Sequence, residues 1–211
     1  MGLPVLIIGK SGSGKSASLR NCRDFAVFNV IGKPLPFREQ PKTLTTDSYA
    51  VITDGLAKCR AKSIVIDDAG YLMTNQFMRG HSSKGAGSAI FSFYNEIGDS
   101  FWNLIETAKK LPADKIVYFI MHTETDDYGN VRPKTIGKML DEKVCVEGLF
   151  TVVIHSMYED GRHIFSTHTD GRDVAKTPIG MFEQTEIDND LKIVDDAIRN
   201  YYNLGGIGYD Q

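Results

Sequence analysis

Five short runs, each nearly all apolar, recur along the chain: PVLIIG at residues 4–9, FAVFNVI at 25–31, SIVIDD at 63–68, KIVYFIMH at 115–122 and LFTVVIHS at 149–156. A strand with one wet face alternates apolar and polar positions, so uniformly apolar runs of this length predict strands buried on both faces. The segments between them carry helical spacing. Helices are expected at residues 15–22, 49–60, about 88–111 and 188–202. In the third, Ile90, Phe93, Tyr94, Ile97, Phe101, Leu104 and Ile105 form one stripe, which reads as core packing. In the last, Leu191, Val194, Ile198 and Tyr201 or Tyr202 share a side, and Gly205 and Gly206 mark its end. Strands alternating with helices predict an α/β fold: a mostly parallel central sheet with helices on both faces. LFTVVIHSMYEDGRHIFSTH adds a C-terminal hairpin, turning at Asp160 and Gly161.

Composition narrows this picture without redirecting it. At 211 residues and 42% hydrophobic, residues 1–211 suit one domain rather than two. The sequence shows no repeat, low-complexity stretch or dividing linker. No apolar run reaches the length of a membrane span and no signal peptide is evident, so a soluble, cytoplasmic protein is expected. Cys22, Cys59 and Cys145 are widely separated and odd in number, which suggests neither a disulfide framework nor a zinc cluster. A formal net charge of -3 gives no global attraction to nucleic acid, so such binding must come from local basic segments.

The chemistry begins directly after the first apolar run. GKSGSGKS, residues 9–16, fits GxxxxGK[ST] without departure. The alternative, a Gly/Ser-rich turn, needs the match to be accidental. In a phosphate-binding loop, backbone N–H groups from Gly9, Lys10, Ser11, Gly12, Ser13, Gly14, Lys15, Ser16 and Ala17 close around phosphate oxygens. Lys15 then neutralises the terminal phosphates, and Ser16 offers its hydroxyl to a magnesium ion. The third run ends in Asp67 and Asp68, which resembles a Walker B strand. Asp67 is the expected metal residue and Asp68 the first candidate for orienting an attacking water, with Glu39 as runner-up. Two aspartates capping a turn is the bland alternative. The fourth run ends in His122, Thr123 and Glu124. If that strand lies between the first and third, His122 stands where a side chain can sense a γ-phosphate.

With these motifs in this order, most of the chain resembles the RecA-like ATPase core, and specifically the short phage ATPases of single-strand annealing and recombination. The resemblance rests on the two Walker-type motifs, on NQFMRGHSSKGAGS after the second, on TETDDYGNVRPKTIGKML after FIMH, and on AKTPIGMF at residues 175–182. It implies a RecA-like P-loop NTPase domain that binds ATP and Mg2+, hydrolyses ATP slowly, forms a homo-oligomer and acts on single-stranded DNA in the cytoplasm, the host's if phage-encoded. The two loops stand where RecA-like proteins carry DNA-binding loops. Their basic residues, Arg79, His81 and Lys84 in one and Arg132, Lys134 and Lys138 in the other, suit phosphate contacts, with Phe77 or Tyr128 as a stacking face. Asp126 and Asp127 oppose a strong site in the second. Arg172 and Lys176, beyond the hairpin that carries Arg162, are candidates for completing a neighbouring subunit's site. The chain departs from the pattern in starting at the phosphate-loop strand, without the amino-terminal element that joins RecA-type filaments, and in lacking an evident catalytic glutamate. Adenine is implied by the resemblance, and no NKxD motif for guanine is present. The rival readings are a small-molecule phosphotransferase of nucleotide-kinase type and a nucleotide-dependent assembly or packaging component.

Overall fold

The computed structural model describes residues 1–84, 87–137 and 144–204. The apolar runs become the central strands: β1 (Leu3–Gly9), β2 (Ala26–Asn29), β4 (Ser63–Asp67), β5 (Ile116–Thr125) and β7 (Val152–Glu159). Four short strands extend the sheet: β3 (Lys42–Thr45), β6 (Val131–Pro133), β8 (Arg162–Ser166) and β9 (Glu186–Asp188). The helices are α1 (Tyr49–Lys58), α2 (Gly70–Gly80), α3 (Ser88–Lys109) and α4 (Leu191–Tyr201), with a six-residue 3-10 helix, Ser16–Asn21, after the glycine-rich loop.

The sheet runs β3-β2-β4-β5-β1-β7-β8-β9, with β6 paired to β5 outside that path. Neighbours from β3 to β7 are parallel, while β8 and β9 continue antiparallel at one edge. This is the expected α/β architecture, a mostly parallel mixed sheet. Because successive strand residues face opposite ways, each central strand feeds two cores. Leu6, Ile8, Ile64, Ile66, Val117 and Phe119 pack under α1, α2 and α3. Val5, Ile7, Val65, Ile116, Tyr118 and Ile120 pack on the other face with Leu19, Phe25 and the α4 residues Leu191, Val194 and Ile198. A buried polar knot locks α4 to the sheet. Asp195 accepts from the Tyr118 hydroxyl at 2.9 Å, Ser63 Oγ at 2.6 Å and Arg199 Nε at 2.8 Å.

The parallel register decides where chemistry can collect, since it brings the carboxyl ends of the strands to one edge. β5 lies between β4 and β1, the condition set for His122, and Gly9 stands opposite His122 in register. Asn29 stands opposite Asp67 across the β2–β4 pair.

Several elements differ from the sequence reading: the helix expected at residues 15–22 is a 3-10 helix, and β6 and β9 are strands where none was expected. The first half of the supposed loop NQFMRGHSSKGAGS is the end of α2, anchored by buried Leu72 and Met73. Two glycines bracket this helix and its core face is only two residues deep, so the periodic signal is weak. β3 is exposed throughout and is held by pairing with β2, which a hydrophobic pattern cannot reveal. The last apolar run starts as a strand only at Val152, since Leu149 belongs to a 3-10 turn. Lys138, Gly205 and Gly206 lie outside the described residues.

Candidate functional site

The loop after β1 is shaped by its glycines and by a buttress from the far hairpin. At Gly9 a Cβ would come within 2.5 Å of both Ser13 Oγ and the Ser156 carbonyl oxygen, so no larger residue fits. Gly14 has φ +101°, and a Cβ there would press on Asn189 and His163 at 2.9 Å. Ser156 Oγ donates to the Ser13 carbonyl at 2.9 Å, His163 Nδ1 lies 3.0 Å from the same oxygen, and Asn189 Nδ2 donates to Ser156 Oγ at 3.1 Å. β7, β8 and Asn189, two residues before α4, therefore hold the loop from behind. Ser13 Oγ itself is buried without a hydrogen-bond partner among the described residues.

Lys15 is 5% exposed and folds over its own loop, donating from Nζ to the carbonyls of Gly9 and Lys10 at 2.8 Å each. Burial lowers its pKa from 10.5 to about 8, against the attraction of Asp68 and Asp67 and with a further push from Lys33. Asp67, 4% exposed, shows the opposite distortion. Burial and the Asp68 charge raise it to about 6, although Ser16 donates to its Oδ1 at 3.0 Å. A buried cation hydrogen-bonded only to carbonyls, and a buried carboxylate held by one hydroxyl and the Asp68 N–H, are both short of compensating charge. Terminal phosphates would supply it to Lys15, and magnesium held by Ser16 and Asp67 would supply it to the carboxylate. The residues thus fit a metal–nucleotide complex. Among the described residues no group of three or more His, Cys, Asp or Glu could hold a metal, so nucleotide and water oxygens must complete its coordination.

Asp68 adopts a left-handed backbone at φ 59°, a conformation Asp tolerates better than most residues. It turns the chain from β4 into α2 and brings Oδ1 to 3.2 Å from His122 Nε2. The two residues, one proposed for the water and one for the γ-phosphate, are one contact. His122 also meets Tyr71 edge-on at 5.9 Å. Lys15, Ser16, Asp67, Asp68 and His122 line a single cleft of about 350 Å3 with Ser11, Gly12, Gly14, Ala17, Asn29, Lys33 and His163.

Other candidates are placed elsewhere. Glu39 is an exposed partner of Arg23 and does not line the cleft. Arg172 is exposed and Lys176 forms a backbone bridge with Val153, neither of them lining this chain's cleft. Arg162 faces Glu186 at 3.9 Å. Arg79 lies on α2, paired with Asp47 through two nitrogens at 3.1 Å. Lys84 sits 3.7 Å from Glu96 and over the Phe93 ring, and Arg132 donates to Glu124 at 2.8 Å. Phe77 is no free stacking face, since it packs on His81, Phe93 and Tyr94, whereas Tyr128 is 92% exposed at its turn. Lys134 differs from the other basic residues. It lines a second cleft, of about 520 Å3, with Lys10, Ser11, Lys33, Tyr71, Thr74, His122 and Thr123. The sequence reading missed Lys33, His163, Ser156 and Asn189. Of these only Ser156 left a trace, as a polar residue ending an apolar run.

No helix among the described residues is long and apolar enough to cross a membrane. No curated protein matches the chain. Residues 1–179 match the sequence profile of the AAA domain, including the glycine-rich loop, both carboxylates of the β4 end and His122. The chain belongs to the AAA domain family and carries a P-loop domain of the nucleotide-binding ATPase type.

Proposed function

We propose that this domain binds ATP with Mg2+, hydrolyses it slowly and, as a homo-oligomer, acts on single-stranded DNA in recombination or annealing of the phage type. The observation that carries the ATPase part is the pair of buried, incompletely compensated charges, Lys15 and Asp67, lining one cleft. Lys15 holds the terminal phosphates, and Ser16 with Asp67 holds the metal. Bound magnesium supplies charge neutralisation on the phosphate oxygens. Asp68 orients the attacking water and receives its proton as the bond to the γ-phosphorus forms and the bond to the leaving diphosphate oxygen breaks. Its contact with His122 must loosen for this, so engagement of the γ-phosphate is transmitted along β5 into the residues that follow.

The DNA part draws on the second cleft. Arg79, Lys84 and Arg132 have carboxylates of their own, whereas Lys10, Lys33 and Lys134 form no ion pair among the described residues and share that cleft with Tyr71. A strand laid there finds cations for its phosphates and a ring for a base, beside His122. Arg172 and Lys176, absent from their own chain's cleft, remain the residues offered to a neighbouring subunit. The same second cleft is the feature that favours the rival reading, a phosphotransferase whose small acceptor sits next to the γ-phosphate.

ATP turnover measured with and without single-stranded DNA separates these readings. Stimulation by DNA supports the proposal. An acceptor-dependent phosphorylated product with no effect of DNA supports the transferase, and absence of both leaves a nucleotide-dependent assembly component.

A further inference from the structure

The loop after β2 carries a cation whose placement is built rather than incidental. Asn29, at the end of β2, stands in register with Asp67 and is buried. Its side chain pins the following turn from both sides, accepting from Gly32 N–H at 2.8 Å and donating to the Lys33 carbonyl at 2.6 Å. Gly32 takes φ +75°, and Leu35, two residues beyond Lys33, is buried in the core that contains Leu19 and Phe25. The backbone of Lys33 is therefore fixed relative to the metal carboxylate. Lys33 is exposed and lines both clefts, and the residues common to the two are Ser11, Lys33 and His122. That trio marks where the two clefts adjoin. No carboxylate pairs with Lys33 among the described residues. Lys15 and Lys33 both line the cleft that Asp67 and Asp68 also line, so a phosphate lodged there meets cations from two segments of the chain.

We propose that Lys33 contacts the terminal phosphate of the bound nucleotide from within the same chain, and that this contact is how the site distinguishes a nucleoside triphosphate from a diphosphate. The inference rests on the nucleotide-binding reading above. Lys15 serves both nucleotides, because it spans the phosphates next to the loop. Lys33 serves only the one with a further phosphate at the Ser11–His122 end. The contact holds positive charge on the transferring phosphoryl group while its bond to the leaving diphosphate oxygen breaks and that oxygen keeps the electron pair.

The test is equilibrium binding, independent of turnover. Displacement of a fluorescent nucleotide gives affinities for ADP and for the β,γ-imido analogue of ATP, both with Mg2+, in the natural protein and in Lys33→Ala and Lys33→Arg. Lys33→Ala is expected to weaken the triphosphate analogue about tenfold, the size of one lost charge-assisted contact, and to change ADP binding less than about twofold. Lys33→Arg is expected to keep most of the preference. Equal weakening of both nucleotides would reduce Lys33 to a structural support for its loop and overturn the proposal, as would an unchanged preference in Lys33→Ala. If the natural protein binds neither nucleotide, the reading of the loop itself falls and takes this one with it. If it binds both and Lys33→Ala keeps the same ratio, only the role of Lys33 is lost.

Discussion

The strand-end cleft and the basic segments around α2 and the β5–β6 turn both carry charge, in opposite condition. In the cleft, Lys15 and Asp67 are buried and short of partners, with pKa values displaced toward neutrality. On the outer segments, Arg79, Lys84 and Arg132 are at least partly exposed and each has a carboxylate within 4 Å. Exposed pairs add at most about 1 kcal/mol and need no ligand, whereas an uncompensated buried charge costs stability until something neutralises it. Counting basic residues along the sequence gives these two classes equal weight. Their partners separate them.

The largest effect should come from the cleft. Lys15→Ala is expected to weaken binding of the ATP analogue at least about 100-fold, as measured by nucleotide displacement. Retained affinity would break the comparison at its strong end. Asp67→Asn is expected to raise the stability of the nucleotide-free protein near pH 7 by about 1–3 kcal/mol in denaturant unfolding, because a buried carboxylate held near pKa 6 is costly when ionised. The same variant should lose the magnesium dependence of nucleotide affinity.

The pH profile sharpens the contrast further. Asp67 is raised on folding, so its contribution is full below pH 3.8 and is lost as pH rises through about 6. Lys15 is lowered on folding, so its contribution is full above pH 10.5 and is lost as pH falls through about 8. Between about pH 6 and 8 both charges are carried, and these two groups should give the nucleotide-free protein a dip in stability there. Saturating Mg2+ and ATP analogue should fill it in, as read by thermal unfolding at matched ionic strength. Smaller effects are expected outside. Lys134→Ala should weaken binding of a short oligodeoxynucleotide about three- to tenfold, while Arg132→Ala and Arg79→Ala should each change it less than about twofold and cost under about 1 kcal/mol of stability. A reversal of that order would return the DNA contact to the outer loops.

The five central strands were legible because each is buried on both faces and so is apolar throughout. The phosphate loop was legible because its glycines are sterically required, as the 2.5 Å contacts at Gly9 show. The end of α2 was read as a loop because the helix's core face is short, and β3 was missed because an edge strand needs only a neighbour's backbone. Phe77 looked like a stacking face until α3 covered it with Phe93 and Tyr94. Nothing in the order of residues announced that Ser156, His163 and Asn189, more than 140 positions away, hold the loop's back.

By itself, then, the sequence determined the α/β class, the phosphate-binding loop and the acidic strand end, because local sterics and double-sided burial leave their marks on neighbouring positions. Only the tertiary structure decided which charges are already neutralised and which await a ligand. Partnership is a matter of distance in space, and Glu39 with Arg23 and Asp68 with His122 are joined by folding alone.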